Sequence, residues 1–141
     1  MAKFLGTHSG DFIPGTRDFK LDSYIVFQSD TFCWKEVDGN MWIRKTGLVK
    51  AGEGWSYEWR IPRGSVVNGA SIPRGFMWLV GSPFDRGRRL SSAIHDVMCQ
   101  EKRIAYRVVH ELFDEMVRHE SNNSWRGKLM GWAVMKFGPR W

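Results

Sequence analysis

The chain has 141 residues, of which 43% are hydrophobic, and it carries a formal charge of +6. This size and composition predict a single globular domain over 1–141 that buries its own core, and they exclude a disordered chain. No apolar run reaches the roughly 18 residues that a membrane-spanning helix needs, so we expect no membrane span.

The modest positive charge is explained by solubility alone, and nucleic acid is the less favoured partner, because binding it requires cations gathered on one face. The candidates for such a face are Arg86, Arg88, Arg89, Arg103 and Arg107. The chain also has eight tryptophans, which favour cores and protein interfaces. This composition points to protein partners.

The first residues, from Met1 to His8, lack the apolar core of a signal peptide, which predicts that the chain is not exported by that route. The two cysteines, Cys33 and Cys99, lie in different halves of the chain. Two cysteines do not make a disulfide framework, so we interpret them as reduced thiols in a cytosolic setting.

Residues 1–17 are rich in glycine and predict an extended or looping arm. A β-rich half follows over 18–67. It begins with β-branched and aromatic residues at 18–28, which are typical of a strand. Alternating apolar residues at 55–61 predict a half-buried strand, and a short strand follows at 65–67.

Residues 31–45 predict a β-hairpin, because the central Asp38-Gly39 pair suits a two-residue turn in which both positions need positive φ. This register places Trp34 opposite Ile43, on one face with Phe32 and Met41. Trp42 lies on the other face, where it is either covered or exposed for a partner.

The remaining part, 68–141, is predicted to be helical, with helices near 73–80, 89–99, 103–119 and 124–137. Strands followed by helices predict an α+β fold. We expect an N-terminal antiparallel β-sheet of about four to five strands followed by three to four helices.

The last helix has an apolar stripe formed by Trp125, Leu129 and Trp132 at helical spacing. Gly127 and Gly131 lie four residues apart in the same helix. They either weaken it, by about 1 kcal/mol each relative to alanine, or allow another backbone to approach closely.

The candidate catalytic residues are His95 and Asp96, with Ser71 as a nucleophile that lacks an evident base. Capping a helix is the favoured role for Ser71 or Ser91. His95 lies at the flank of its helix's apolar stripe, and His110 has a similar position on the next helix. If those helices pair in antiparallel fashion, the two rings face each other. The favoured interpretation is that both are hydrogen-bonded structural residues.

A metal site is the alternative to that structural interpretation. His95 with Cys99, and His110 with Asp114, form two i,i+4 pairs of zinc-compatible ligands, although no diagnostic motif is present. The candidate metal ligands also include Asp96. We expect no cofactor, with a divalent metal as the alternative.

The run from Ile61 to Arg74, which contains Asn68-Gly69-Ala70-Ser71-Ile72-Pro73-Arg74, resembles the Gly-Phe-x-Thr-Asp-x-Ala-Ser-Ile-Pro-Arg signature of a phage-borne domain of unknown function. Ala93-Ile94-His95-Asp96 resembles the His-Asp helix of that family, and the end at Trp141 resembles its closing segment. The resemblance covers 55–141. It implies a small protein of tailed phages or prophages, located in the host cytoplasm during infection or in the virion, with no established activity.

The His-Asp helix of the family is locally similar to that of secreted phospholipases A2. This similarity implies a histidine base at His95 and a calcium ligand at Asp96. Asn68 and His110 stand where the family has aspartates. His110 is not a carboxylate and does not fit the role of orienting the base, so the resemblance implies a degenerate site.

Three functions remain open. The first is a non-catalytic virion, tail or assembly protein that binds phage or host proteins, with Trp42 and Trp141 as interaction residues. The second is a small metal-assisted hydrolase of lipid, cell-wall or phosphoester substrates. The third is a nucleic-acid binder. Whatever the function, we expect the signature residues to dock the strand half on the helical half, with Ser71 capping a helix, Pro73 starting it and Arg74 paired with Asp96.

Overall fold

The computed structural model describes residues 2–50, 52–68, 75 and 87–141. Strands precede helices within this part of the chain, which confirms the α+β fold. The strands are β1 (Lys3–Gly6), β2 (Gly10–Phe12), β3 (Phe19–Leu21), β4 (Ile25–Gln28), β5 (Phe32–Val37), β6 (Asn40–Lys45), β7 (Glu58–Ile61) and β8 (Val66–Val67). The helices are α1 (Arg89–Glu101), α2 (Tyr106–Glu120) and α3 (Trp125–Phe137), and a 3-10 turn spans Thr46–Leu48.

The strands of the described residues form three small antiparallel sheets, where the sequence had predicted one sheet of four to five strands. Their orders are β1-β4-β7, β2-β3-β8 and β5-β6. The segment 1–17, predicted as an arm, contributes β1 and β2. Gly6 and Gly10, which suggested a loop, have φ angles of +90° and +151°. A Cβ at Gly6 would lie 3.2 Å from the Cα of Ile25, so these glycines mark close strand pairing.

The hairpin is confirmed at the register that the sequence predicts. Trp34 pairs with Ile43, and Asp38 and Gly39 both have positive φ, at 51° and 80°. The Trp34 indole nitrogen donates a 2.7 Å hydrogen bond to the Glu58 carbonyl, which ties the hairpin to β7. On the opposite face, Trp42 is 51% exposed.

The core lies between the strands and the helices. Phe27 of β4 and Trp59 of β7 belong to the same buried cluster as Ile94 of α1 and Leu112 and Phe113 of α2. Removing this apolar surface from water is the main force that joins the two halves.

Polar contacts set the relative position of the elements. The Glu115 carboxylate of α2 accepts a hydrogen bond of 2.5 Å from Ser29 Oγ and one of 2.8 Å from the Asp30 amide. At the start of α1, the carboxylate of Glu120 accepts from the amides of Leu90 and Ser91, at 3.0 and 2.8 Å. Ser91 therefore does not cap α1, because a carboxylate from the end of α2 serves its free amides.

The three long helices occur where the sequence predicts them. Of the two roles left open for Gly127 and Gly131, close approach of another backbone is the one that α3 shows. Trp125 and Trp132 of the predicted apolar stripe are 60% and 46% exposed. The buried face instead contains Met130 and Val134 with the two glycines. A Cβ at Gly131 would lie 3.2 Å from the Cα of Asp114, so small residues decide which face of α3 packs on α2.

The signature residues Gly69, Ser71, Pro73 and Arg74 lie outside the described residues, as does the helix predicted near 73–80. Within the described part of the chain, no helix combines the length and the apolar character that crossing a bilayer requires.

Candidate functional site

The imidazole rings of His95 and His110 meet between α1 and α2. His95 Nε2 lies 2.9 Å from His110 Nδ1, as predicted for an antiparallel helix pair. The sequence places His95 at the flank of the apolar stripe of its helix, and the structure buries that position fully, with the side chain 0% exposed. Helix α1 is buried continuously from Ser91 to Cys99. It lies between α2 on one side and β4, β7 and β8 on the other, so its flank is covered as well as its stripe.

The hydrogen bonds assign the proton positions of the pair. His110 Nε2 lies 2.7 Å from the carbonyl oxygen of Pro139, which only accepts. His110 therefore carries its proton on Nε2 and accepts at Nδ1, and His95 donates from Nε2. The His95 ring also lies 4.6 Å from the ring of Phe113, centroid to centroid.

Both rings are held in the neutral form. Burial lowers the pKa of His95 well below its usual value of 6.5, and the neighbouring His110 lowers it further. Burial also lowers the pKa of His110, an effect that the Pro139 carbonyl opposes and Arg140 reinforces. A neutral imidazole has one free lone pair, which is the form that binds metals.

Cys99, one turn after His95, completes a cluster of three buried metal-ligand side chains. One ligand atom from each of His95, Cys99 and His110 lies within 4.8 Å of the others. The Cys99 sulfur is 3.6 Å from His95 Nε2. Asp114, the fourth residue of the sequence hypothesis, instead forms a 3.0 Å ion pair with Arg118. The His95–Cys99 spacing was the sequence signal for this cluster.

Asp96 faces a different part of the molecule from its neighbour His95. Its Oδ2 accepts hydrogen bonds from the Asn68 amide at 2.9 Å and from Gln100 Nε2 at 3.0 Å. Gln100 Nε2 also donates to the Val66 carbonyl at 3.1 Å. The Asn68 amide follows directly after β8, and Asp96 belongs to α1. The hydrogen bond between them therefore ties the end of β8 to α1. The geometry joins Asn68, the first residue of the signature, to the His-Asp pair.

The C-terminal segment covers the His110 side of the cluster. The Trp141 indole nitrogen donates to the Ile104 carbonyl at 2.8 Å, and its ring lies 6.0 Å from that of His110. Trp141 is thus engaged within the chain. Beside it, a cavity of about 270 Å³ is lined by His110 together with the cations Arg107, Lys136 and Arg140.

The sequence had not singled out the outward face of α3. Trp125, Trp132, Met135 and Phe137 are between 42% and 60% exposed there. The apolar residues were evident in the sequence, but their exposure depends on the side of α3 that packs against α2. Of the cations named for nucleic acid, Arg88 is buried, which removes it from any phosphate-binding surface.

These observations define a small α+β protein with a buried histidine pair and an exposed aromatic helix. The chain belongs to the DUF1353 family, described as proteins of unknown function, whose family model matches residues 44–134.

Two relatives come from Sinorhizobium fredii (strain NBRC 101917 / NGR234). The uncharacterized protein y4jT is 37% identical over 84 residues, which cover 60% of this chain and 25% of that protein. The uncharacterized protein y4iH is 29% identical over 125 residues, which cover 78% of this chain and 52% of that protein. The chain thus spans a quarter of the first relative and about half of the second. No solved structure gives a significant match.

Proposed function

We propose that this chain is a non-catalytic accessory protein of a tailed phage or prophage, which binds a partner protein through helix α3. It would act in the host cytoplasm during infection or in the virion. The phage role rests on the resemblance of residues 55–141 to a phage-borne domain. The observation that carries partner binding is the composition of the exposed surface of α3, which we call the aromatic-cationic face. Its residues are Trp125, Arg126, Lys128, Trp132, Met135, Lys136 and Phe137.

The apolar part of this face is large for a single helix. Trp125 and Phe137 are each 60% exposed. The rings of Trp132 and Phe137 lie 5.9 Å apart, and the Arg126 guanidinium lies 5.3 Å from the Trp125 ring. Tryptophan, methionine, phenylalanine and arginine are enriched in protein interfaces, and tryptophan and arginine are among the residues that contribute most to binding energy.

The charged part of the face indicates what kind of partner fits. Residues 125–141 contain four cations, at Arg126, Lys128, Lys136 and Arg140, and no acidic residue. Two copies of the face would repel each other, whereas a protein with an acidic, apolar groove complements it in both respects.

Burial of the histidine pair favours binding over catalysis. A general base must reach the proton that it removes, either directly or through one water molecule. The His95 side chain is 0% exposed and packs on Phe113. The orienting carboxylate of the phospholipase-like arrangement is replaced by His110, whose ring is itself engaged with a backbone carbonyl.

The test is photo-crosslinking in cells that naturally carry the chain. A photoreactive amino acid replaces Lys128 on the face or, as the control, exposed Lys20 on β3. We expect a cross-linked acidic protein from position 128 only, and its loss when Trp132→Ser and Phe137→Ser are combined. Cross-links to lipid or nucleic acid, or equal cross-linking from both positions, would overturn the partner class. The phage role fails if mass spectrometry finds the chain in neither virions nor cells producing phage.

A metal-assisted hydrolase is the second candidate, and one observation favours it. The charged residues that line the cavity beside His110 are three cations and one carboxylate, Arg107, Lys136, Arg140 and Glu111. The positive excess suits an anionic substrate such as a phosphoester. Hydrolysis of phosphomonoester, phosphodiester and phospholipid substrates, measured with added zinc or calcium, tests this candidate. Activity that His110→Gln abolishes, while His119→Gln preserves it, would replace the non-catalytic proposal.

A further inference from the structure

We propose that His95, Cys99 and His110 bind one zinc ion between helices α1 and α2, with His95 Nε2, Cys99 Sγ and His110 Nδ1 as the ligand atoms. The inference concerns the interior of the helical half. It holds whether or not α3 binds a partner, because it depends on different residues.

One ligand distance already equals that of a tetrahedral zinc site, and the others lie close enough for a small rearrangement to complete the site. With Zn–N near 2.0–2.1 Å and Zn–S near 2.3 Å, tetrahedral angles place two nitrogen ligands about 3.4 Å apart and nitrogen and sulfur about 3.6 Å apart. Cys99 Sγ lies 3.6 Å from His95 Nε2. The two nitrogens are 2.9 Å apart and all three ligand atoms lie within 4.8 Å of one another, so binding the ion requires ring rotations that widen the nitrogen pair by about 0.5 Å.

One ligand already has the support that zinc-binding histidines use. A metal-bound imidazole donates its other N–H to a carbonyl or carboxylate, which fixes the ring and raises its basicity. His110 Nε2 makes this contact with the Pro139 carbonyl at 2.7 Å, which leaves Nδ1 directed at His95. Gly138 permits the contact, because a Cβ there would lie 2.9 Å from His110 Nε2.

The donor set selects zinc over calcium and magnesium. One thiolate and two imidazoles are borderline or soft ligands, whereas the hard cations require oxygen. The oxygen donors nearest in sequence are engaged elsewhere, since Asp96 binds the Asn68 amide and Asp114 binds Arg118. Within the described part of the chain three side chains serve as ligands, and tetrahedral zinc takes one further ligand.

Binding has a defined proton balance. The Cys99 thiol loses its proton to solvent and coordinates as the thiolate. The His95 proton moves from Nε2 to Nδ1, so that Nε2 offers its lone pair while the ring stays neutral. His110 needs no change, because its proton is already on Nε2. Each ion therefore releases one proton, and the site gains two units of positive charge from zinc and one negative charge from sulfur.

The experiment measures the metal directly. Protein purified under reducing conditions is stripped with a chelator and then titrated with zinc, or with cobalt as a spectroscopic probe. We expect one zinc per chain and, at a free zinc concentration about 1,000 times Kd, a rise in Tm of about 10 °C. The cobalt form should show the sulfur-to-cobalt charge-transfer band and the visible bands of a tetrahedral site.

Cys99→Ala should abolish the sulfur band and weaken zinc binding by more than about 100-fold, beyond the loss typical of an outer-shell contact. The matched control is Cys33→Ala, which removes the other buried thiol. It should leave the sulfur-to-cobalt band and the zinc affinity unchanged. His110→Gln and exposed His119→Gln form a second pair. If the stripped wild-type chain shows neither a sulfur-to-cobalt band nor a zinc-dependent rise in Tm, the proposal is wrong, whatever the folding of the variants.

Discussion

Substituting Gly131 by alanine tests whether close approach of α3 to α2 decides which face of α3 is exposed. The new methyl group would lie 3.0 Å from the Asp114 Cγ and 3.2 Å from its Cα. The carboxylate could rotate away only by giving up its 3.0 Å contact with Arg118, and the backbone atom has no such freedom. The two helices must therefore separate.

The sign of the effect depends on two opposing terms. Alanine in place of glycine favours a helix by about 1 kcal/mol, whereas overpacking a close contact typically costs about 1–3 kcal/mol and more where backbone is involved. We expect Gly131→Ala to lower the free energy of unfolding by about 1–2 kcal/mol, equivalent to a fall in Tm of about 3–8 °C.

Urea denaturation of the wild type and the variant gives the difference directly. The control is Gly47→Ala, at a position where a Cβ would meet nothing within 4 Å. It should change stability by less than about 0.5 kcal/mol. If Gly131→Ala proved as stable as the wild type or more so, close packing of α3 on α2 could not explain the exposure of its tryptophans.

Three other perturbations test the contacts around the site. Glu120→Ala removes the hydrogen-bond acceptor at the start of α1 and should lower the free energy of unfolding in urea by about 1–2 kcal/mol, while Glu120→Gln should lower it less. Equal stability of the wild type and both variants would contradict this. Asp96→Asn weakens the link between β8 and α1, so a loss of about 1–2 kcal/mol is expected, and no loss would remove Asp96 from that role. Burial lowers the pKa of His95 and of His110, so below pH 6.5 the unfolded chain binds protons that the folded chain does not. The free energy of unfolding therefore falls as the pH drops below about 6.5, by up to about 1.4 kcal/mol per pH unit for each ring. In chelator-treated protein, His95→Gln should flatten this slope whereas His119→Gln should not, and an unchanged slope in His95→Gln would refute the assignment.

The α+β class, the register of the hairpin and the ranges of the three long helices were all predicted from the sequence. Each of these features depends on local chemistry. Asp38-Gly39 suits only a tight turn, and a strict alternation or a helical stripe has one compatible geometry within a segment. The pairing of His95 with His110 also followed from the sequence, because a short connection between two helices favours an antiparallel pair.

The division of the strands into three sheets, the complete burial of His95 and the direction of α3 were decided by the tertiary structure. Hydrophobic periodicity predicts which residues share a face of a helix, but not which face packs against another element. Trp125 and Trp132 formed the more hydrophobic stripe, yet the helix buries Gly131 and Met130, since only small residues let it approach α2. His95 is buried because strands distant in sequence cover the side of α1 that a single helix would expose to water.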